Sequence, residues 1–280
     1  MGNTGADVIQ EPLLIHTNSI GLKLARIPAG GFTMGSPSSE KGSSVHEPQP
    51  EHRVKITQAF YMGIYPVTQG EFEIVMKQNP SQFKGVKGVS GQNSLRFPAD
   101  SVNWEEATEF CRKLSVLESE VMAGWVYHLP TEAQWEYACR AGTSTAFHIG
   151  NSLSSSQANF DGYHPYGSDI RGVCIQRPIA VGSYKANAFG LFDMHGNVQE
   201  WCADLYDKNY YKSSPIEDPP GPADGRYRDK PVRVLRGGGW HSVATVCRSG
   251  ERSFDQPTRR YDDYGLRVIC YVEPAKQGKK

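Results

Sequence analysis

The pattern of apolar and polar residues along the chain predicts short strands and short helices separated by long loops. Residues 18–33 alternate imperfectly around a Pro-Ala-Gly-Gly run, which predicts a strand, a turn and a second strand. Residues 53–56 alternate as well and begin another strand. Residues 232–240 predict a strand that ends in three glycines, and residues 264–272 predict the closing strand. Strands are therefore expected near both ends of the chain.

Three helix starts share one sequence device. Thr68, Asn103 and Thr131 each stand three positions before a Glu or Gln, and apolar residues at helical spacing follow each of them. Such a pair of side chains forms a capping box, in which each satisfies a backbone N–H of the first turn. Because each apolar run is short, we expect three helices of about three turns. Cys111 and Cys139 fall on the apolar faces and are expected in the core.

Two long stretches have almost no periodicity. Residues 142–188 are punctuated by serine, proline and glycine, and a segment of this length without regular structure is usually functional when it is ordered. Such a loop needs internal cross-links, which a metal ion supplies well, and Asn159, Asp161 and Asp169 are candidate ligands. Residues 207–230 combine prolines and glycines with charges, which predicts a second, exposed excursion.

The stretch 190–201 reads Gly-Leu-Phe-Asp-Met-His-Gly-Asn-Val-Gln-Glu-Trp and is dense in special residues. Gly190 and Gly196 permit backbone angles that other residues resist. Asp193, Asn197 and Glu200 bring side-chain oxygens into a few residues, and calcium takes about six to eight oxygens, including backbone carbonyls. The alternative is an Asx-turn whose side chains bond only to their own backbone. Spacing alone leaves both interpretations open, since no EF-hand pattern is present.

Composition favours a loop-rich globule over a helical bundle, because 29 glycines and 18 prolines accompany only 38% hydrophobic residues. The 30 basic and 30 acidic residues balance, so no net field favours nucleic acid or an acidic membrane as a partner. Residues 1–10 lack the apolar core of a signal peptide, and no apolar run approaches the roughly 20 residues that span a bilayer. We therefore expect a cytoplasmic protein.

One domain is predicted over residues 18–273, because neither an internal repeat nor a break in composition divides the chain. Flexible segments are expected at 1–17 and 274–280. Six cysteines are widely spread without a Cys-x-x-Cys pair, which argues against a zinc ribbon or a redox motif. In a reducing cytoplasm they are expected to be buried, small apolar residues. Neither of the common glycine-rich phosphate loops is present.

Blocks of residues along nearly the whole chain carry a family resemblance. They lie at 27–35, 65–68, 102–104, 110–111, 129–137 (Leu-Pro-Thr-Glu-Ala-Gln-Trp-Glu-Tyr), 190–201, 236–238 and 265–267. One block would carry little weight, but all of them stand in register. On these residues the chain resembles the formylglycine-generating enzyme (sulfatase-modifying factor) family. The resemblance implies an α+β, C-type-lectin-like variant fold, with small twisted sheets, about three short helices and long ordered loops.

The resemblance also implies two calcium sites. By resemblance, the ligands of the first are Asp193, the carbonyls of Gly196 and Val198, and Glu200. The ligands of the second are Asn159, the carbonyl of Phe160 and Asp169, although the loop around Asp169 differs in length from the family's. Calcium is thus the expected cofactor.

Copper is not expected, because the sequence departs from the family at the active site. The family's oxidases convert a sulfatase cysteine to formylglycine and resemble one another in a Cys-His-x-x-x-Cys run that binds copper(I), an ion that prefers thiolates. Ser242 stands where the first cysteine should be, and Cys247 stands at the distance of the second. A count back from Gly265 instead aligns Arg252 with the family's arginine and moves Cys247 into a core strand, and we favour that count. Cys247 with His241 nearby is the alternative, a single soft site.

Other branches of the family hold iron with three histidines, contributed partly by an additional helical domain. No part of this sequence matches that domain, and its eight histidines show neither His-x-x-x-His nor His-x-His spacing. His195, inside the glycine-rich turn, is expected to be a structural hydrogen-bonding residue. Ser242 and His241 do not form a nucleophile pair, because adjacent residues of a strand point to opposite faces. Cys247 and Ser242 therefore remain catalytic candidates without an assigned role.

A polar, aromatic segment follows Cys247 and is either a solvated loop or a recognition surface. Tyrosine and arginine are favoured as interface anchors. The segment contains Glu251, Arg252, Asp255, Arg259, Arg260, Tyr261, Asp262, Asp263 and Tyr264. The binding surface predicted from it consists of Trp240, His241, Arg252, Arg259, Tyr261 and Tyr264.

Three functions are consistent with these observations. The first is a calcium-stabilised module that binds a peptide, a protein or a small molecule and lacks copper oxidase chemistry. The second is a formylglycine-generating oxidase with an atypical site at Cys247. The third is a ligand-display protein diversified by a retroelement, with residues 241–264 as the variable segment. By resemblance, Cys111 neighbours Cys270 and Cys139 neighbours Cys247, and we expect close approach without a bond.

Overall fold

A computed structural model describes residues 13–42, 49–85 and 93–272 of the chain. The flexible segments expected at the two ends lie largely outside the described residues, except that the first strand falls within 1–17 and pairs with its neighbour. The strands are β1 (Ile15–Thr17), β2 (Lys23–Ile27), β3 (Gly30–Met34), β4 (His52–Ile56), β5 (Phe60–Gly63), β6 (Trp125–His128), β7 (Gln199–Leu205), β8 (Arg226–Tyr227), β9 (Lys230–Pro231), β10 (Arg233–Arg236), β11 (Ser253–Asp255), β12 (Tyr264–Gly265) and β13 (Ile269–Val272).

Four α-helices accompany these strands in the described ranges: α1 (Gln69–Met76), α2 (Trp104–Ser115), α3 (Glu118–Ala123) and α4 (Glu132–Arg140). The three predicted capping boxes are confirmed, because Thr68, Asn103 and Thr131 each accept a bond from the third helical residue, whose side chain returns one. The sequence did not predict α3, which starts at a leucine that makes no side-chain cap. None of these helices is long and apolar enough to cross a bilayer.

The strands form small sheets, as the predicted α+β class requires. The larger sheets have the strand orders β1-β2-β5-β13-β6 and β11-β10-β7-β12, and β3-β4 and β8-β9 form two-stranded ribbons. The predicted closing strand is divided between the two larger sheets, since β12 pairs in parallel with β7 whereas β13 pairs with β5 and β6. The last residues of the domain therefore hold both sheets together.

The core lies on both faces of these sheets. Successive side chains of a strand point to opposite faces, and the structure follows this rule: Trp201 and Leu235 belong to one apolar cluster, whereas their neighbours Cys202 and Val234 belong to another. The first cluster includes the apolar faces of α1 and α2, and the second includes that of α4. Strands covered on both sides explain why their sequences alternate imperfectly.

The loop 142–188 contains neither helix nor strand, as predicted. A third apolar cluster stabilises it, in which Phe147, Leu153 and Phe160 pack with Cys247. Two isolated bridges, Phe147 with Gly150 and Leu153 with Tyr166, add backbone hydrogen bonds. The excursion 207–230 is mostly exposed and includes the β8-β9 ribbon.

Candidate functional site

The stretch 190–201 forms a tight turn that leads into β7. Asp193 (φ 56°) and Asn197 (φ 69°) adopt left-handed backbone angles that side-chained residues rarely use. Gly196 (φ 82°) is required, because a Cβ at this position would stand 2.3 Å from the carbonyl oxygen of Asn159. The Oδ1 atom of Asn197 accepts hydrogen bonds from the backbone N–H of Ile179 (3.0 Å) and from Nδ2 of Asn159 (3.2 Å). The turn is thereby fastened to the long loop 142–188.

The carboxylate of Glu200, a predicted calcium ligand, is engaged by an arginine. Arg267 donates from Nε to Oε2 (2.9 Å) and from Nη2 to Oε1 (2.8 Å), and Trp135 donates from Nε1 to Oε2 (2.7 Å). Asp193 accepts a bond from the backbone N–H of Gly182 (2.7 Å), and burial raises the pKa of its carboxyl to about 6. This set of residues fits a calcium ion only in part, because Glu200 already has a cationic partner.

Asn159 fits a cation better. Its side chain is 2% exposed, its Nδ2 donates two hydrogen bonds, and its Oδ1 has no hydrogen-bond partner among the described residues. An unpaired buried oxygen costs free energy, and a bound cation would remove that cost. The other candidates in the loop are placed differently: Asp161 accepts a bond from His164 Nδ1 (2.7 Å), and Asp169 is exposed at the surface.

His195 is a structural hydrogen-bonding residue, as predicted. The ring is buried, its Nε2 accepts a bond from the backbone N–H of His148 (3.1 Å), and its Nδ1 lies 2.7 Å from the carbonyl oxygen of Cys247. Because Nε2 accepts, the proton must be on Nδ1, which donates to Cys247. Burial lowers the pKa of His195 to about 3, so the ring is neutral at physiological pH.

Cys247 is enclosed, and the prediction that it lies in a strand is wrong. It ends a short 3₁₀ turn, Ala244–Cys247, because the chain reverses after the glycine triplet and does not continue β10. Its side chain is fully buried among Phe147, Phe160 and Tyr166, and burial raises the pKa of the thiol far above its usual range. Its sulfur contacts the carbonyl oxygen of Val243 at 3.8 Å.

Ser242 has a structural partner of its own. Its Oγ accepts a hydrogen bond from the backbone N–H of Gly239 (3.0 Å), and its backbone N–H donates to the carbonyl of the same residue (3.0 Å). Ser242 therefore closes the turn that follows the glycine triplet. Among the described residues, no imidazole or carboxylate forms a hydrogen bond with this hydroxyl, as a general base that activates a serine would.

All six cysteines are free thiols in the structure. Cys111 and Cys270 belong to the same apolar cluster. Cys139 and Cys247 flank one imidazole, since the sulfur of Cys139 lies 4.0 Å from Nε2 of His195 and the carbonyl of Cys247 accepts from its Nδ1. The redox state of these pairs in the cell stays a prediction.

Arg252 does not belong to the binding surface, contrary to the prediction. It is 4% exposed and donates from Nε and Nη2 to the two carboxylate oxygens of Glu132 (2.7 and 2.8 Å). Its guanidinium also lies over the rings of Tyr206 and Tyr211. The sequence suggested exposure because the residue is charged, but a buried carboxylate 120 positions earlier neutralises it.

Arg252 is one end of an alternating row of buried charges between α4 and β10. Glu132 also lies 3.8 Å from Arg236, which in turn donates to Glu136, and Glu136 accepts from Nε of Arg140 (2.8 Å). Opposite charges that alternate in this way satisfy one another away from water. Arg236 is the last residue before the glycine triplet, so the row anchors the base of the loop that carries Trp240.

The rest of the predicted binding surface is divided. Tyr264 is 8% exposed, because its ring packs on Trp201 and its hydroxyl donates to Asp255 (3.1 Å), so its prediction as a surface residue is wrong. The remaining four residues lie at or near the surface, and we call them the Trp240 surface. They are Trp240, His241, Arg259 and Tyr261.

The Trp240 surface borders a group of carboxylates. Asp262 is partly exposed and Asp263 is buried, and each offers an oxygen close to the His241 ring. Asp100 lies beside them, completely buried, and burial raises the pKa of its carboxyl to about 6, with the charge of Asp262 as a further cause. Sequence reasoning missed Asp100, because it lies 162 positions before Asp262 and no local pattern joins them.

The chain is similar in sequence to several known proteins. A sequence profile described as "Sulfatase-modifying factor enzyme 1-like domain" matches residues 18–272. The chain belongs to this family. Among curated relatives, it is 32% identical to the serine/threonine-protein kinase pkn1 of Chlamydia caviae over 268 residues. This aligned region covers 88% of this chain and 38% of that protein. It is 34% identical over 179 residues to the formylglycine-generating enzyme of Streptomyces coelicolor, which covers 61% of this chain and 51% of that enzyme.

Two solved structures share the fold of this sulfatase-modifying factor domain over almost their full length. Treponema denticola variable protein 1 superposes with a TM-score of 0.75 at 28% identity, over 92% of this chain and 99% of that one. PvdO from Pseudomonas aeruginosa superposes with a TM-score of 0.72 at 27% identity, over 94% and 99%. The C-type-lectin-like, formylglycine-generating-enzyme type of fold is confirmed. The chain spans about two fifths of the kinase relative's length and half of the enzyme's.

Proposed function

We propose that this sulfatase-modifying factor domain is a ligand- or protein-binding accessory module without copper oxidase chemistry. The proposal rests on the side chains at the two positions where the family's oxidases have copper-binding cysteines, Ser242 and Cys247. Ser242 offers a hydroxyl that already closes a backbone turn, and Cys247 offers a thiol sealed in an apolar cluster. Copper(I) prefers soft thiolate ligands, and burial opposes the thiolate form of Cys247.

The binding site of this module would be the Trp240 surface. Tyr261 is 49% exposed, the His241 side chain is 51% exposed, and Arg259 is exposed, while the Trp240 ring is braced edge-on by Phe83 at 5.7 Å. Aromatic and arginine side chains are favoured where a peptide, a protein or a small molecule binds, and the packed Trp240 ring would lose little conformational freedom on binding.

Calcium is proposed as a structural cofactor of the module, centred on the loop that contains Asn159. The support is its buried and unpaired Oδ1, which lies in the same loop as the carbonyl of Phe160 and next to the turn that contains Asp193. Calcium supplies structural cross-linking through oxygen ligands. We expect calcium to raise the melting temperature of the wild type above its value in chelator. In Asn159→Ala this increment should vanish, and an unchanged increment would refute the assignment.

The function is tested by titration with copper(I) and by oxygen uptake on a Cys-x-Pro-x-Arg peptide. The formylglycine-generating enzyme of Streptomyces coelicolor serves as the positive control in the same buffer. We expect oxygen uptake by the control and none above background by this chain. Turnover that is lost in Cys247→Ser would refute the binding-module proposal and establish the oxidase with an atypical site, which the 34% identity to that enzyme favours as the second candidate.

The third candidate, a ligand-display protein diversified by a retroelement, is favoured by the similarity to Treponema denticola variable protein 1. Its variable segment would be residues 241–264, which include His241 and Tyr261. The DNA around the coding sequence tests this candidate. A near-repeat of the final codons beside a reverse transcriptase would support it, and their absence from the complete locus would remove it.

A further inference from the structure

Three side chains that can bind a metal ion meet beside Trp240. His241, Asp262 and Asp263 each place one ligand atom within 4.8 Å of the other two. Nδ1 of His241 lies 3.6 Å from Oδ2 of Asp263. The group lies on two loops that follow different strands, so the fold and not a local motif brings it together.

Asp263 is held rigidly in this group. It is 1% exposed, and its Oδ2 accepts a hydrogen bond from Nε2 of Gln199 (3.0 Å). Gly239 faces it so closely that a Cβ there would stand 2.3 Å from that oxygen. Asp262 is positioned through its backbone, whose carbonyl accepts from Nε1 of Trp240 (3.0 Å). Ligands of metal ions are typically oriented by outer partners of this kind.

A buried carboxylate without a counter-charge, Asp100, lies close enough to Asp262 for the charge of Asp262 to help raise its pKa. Asp100 is 0% exposed; its Oδ1 accepts from the backbone N–H of Gln82 (2.6 Å), whereas its Oδ2 has no partner in the described ranges. Its neighbours on the chain bracket the same loop, since Ser101 N–H donates to the carbonyl of Tyr261 (3.0 Å) and Val102 N–H donates to that of Tyr264 (3.1 Å).

The balance of charge here is negative. Asp263 pairs with His241, and neither Asp100 nor Asp262 has a lysine or arginine partner in the part of the chain that is described. The nearby Arg260 is paired with Glu106. Buried carboxylates are costly unless a cation compensates them, and this group contrasts with the arginine-matched carboxylates of α4.

We propose that His241, Asp262 and Asp263 bind one divalent transition-metal ion of the Mn²⁺, Fe²⁺ or Zn²⁺ type. One imidazole nitrogen and two carboxylate oxygens suit these ions, whereas calcium prefers oxygen alone. Ligand atoms around such an ion lie at most about 4.4 Å apart, so binding requires the side chains of His241 and Asp262, both at least partly exposed, to move closer together. The half-exposed His241 leaves the solvent side open to an oxygen of a bound ligand.

The proposal is tested by titrating the full chain with Co²⁺, a spectroscopic probe for this class of ion, by calorimetry and visible absorption. Excess Ca²⁺ is present throughout, so that sites built from oxygen alone are already filled. We expect one Co²⁺ per chain, with absorption bands of nitrogen and oxygen ligands. Affinity should fall at acidic pH, because imidazole and carboxylates must lose their protons to bind a metal.

Matched variants separate this site from general binding. His241→Ala should lower the affinity for Co²⁺ at least about tenfold, because it removes a direct ligand. The side chain is half exposed, so the fold should be unaffected, and an unchanged melting temperature checks this. His164→Ala removes another exposed histidine, paired with Asp161, and should leave the affinity unchanged.

Asp262→Asn gives a second variant at a partly exposed ligand, with an expected loss of affinity similar to that of His241→Ala. The proposal is overturned if the wild type takes up no Co²⁺, or if His241→Ala and Asp262→Asn both bind it as tightly as the wild type. Neither result depends on whether the chain binds a protein partner or turns over a peptide, so the proposed function stands or falls separately.

Discussion

Replacing Glu136 by glutamine is expected to destabilise the domain strongly. Glu136 is completely buried on α4 and accepts hydrogen bonds from Arg140, from Arg236 and from the backbone N–H of Gly35. Glutamine keeps the size and one acceptor oxygen, but it removes the negative charge and turns an N–H₂ group toward guanidinium donors. The buried row would then hold one carboxylate, Glu132, against three arginines.

The expected loss in free energy of unfolding is about 3 kcal/mol. Removing one partner of a buried ion pair typically costs about 3–5 kcal/mol, because the other charge remains buried without compensation. We take the lower end, since Arg236 keeps Glu132 at 3.8 Å and Arg140 keeps the carbonyl of Gly35 as an acceptor. Domains are typically stable by about 5–15 kcal/mol, so this loss would be a large share of the total.

Urea denaturation monitored by tryptophan fluorescence measures the effect, because Trp135 lies under the Arg236 guanidinium. Glu109→Gln is the matched control: Glu109 also pairs with an arginine on its own helix, Arg112 at 2.6 Å, but that pair is exposed to solvent. We expect the control to unfold at nearly the wild-type midpoint, because solvent screens exposed pairs. If Glu136→Gln and Glu109→Gln unfold at the same urea concentration, the buried row of charges does not stabilise the fold as argued.

Three further predictions concern single side chains. Burial and then the charge of Glu132 raise the pKa of Asp204 to about 7, above its unfolded value of 3.8, so stability should fall as pH rises from about 4 to about 7; Asp204→Asn should flatten this dependence in denaturation curves at each pH. Glu200→Ala should lower the melting temperature equally with calcium and with chelator, because it leaves Arg267 unpaired; a loss confined to calcium buffer would contradict this. Thr131→Ala should lower the free energy of unfolding, measured by urea denaturation, by about 1 kcal/mol, and an unchanged value would show that the Thr131 cap does not stabilise α4.

The local parts of the fold could be predicted from the sequence, because their physical causes are local. Capping boxes join residues three positions apart, so the positions of Thr68, Asn103 and Thr131 predict where the three helices begin. The family resemblance supplied the overall architecture. The helix α3 was missed, because Leu117 at its start makes no side-chain cap.

The site was harder to predict, because its polar residues are decided by distant partners. Arg252 and Tyr264 were placed on the surface by their chemistry, but Glu132 and Asp255 hold them inside. The orientation of the Asp263 carboxylate depends on Gln199, which lies on β7. No periodicity in a single sequence reports such pairs, since the chain distance between partners exceeds any local window.

The stretch 190–201 explains how buried charges and candidate sites coexist in one small domain. Its backbone bonds to the loop 142–188 at Asn159, to the glycine triplet at Gly237, to Trp240 and to Asp263. Both proposed cation sites are therefore hydrogen-bonded to the same turn. The buried ion pair between Glu200 and Arg267 fixes this turn in the core. The rigid contacts are backbone bonds and buried ion pairs, so they do not depend on the identity of exposed side chains. We therefore expect substitutions at the half-exposed His241 to leave the stability of this scaffold unchanged.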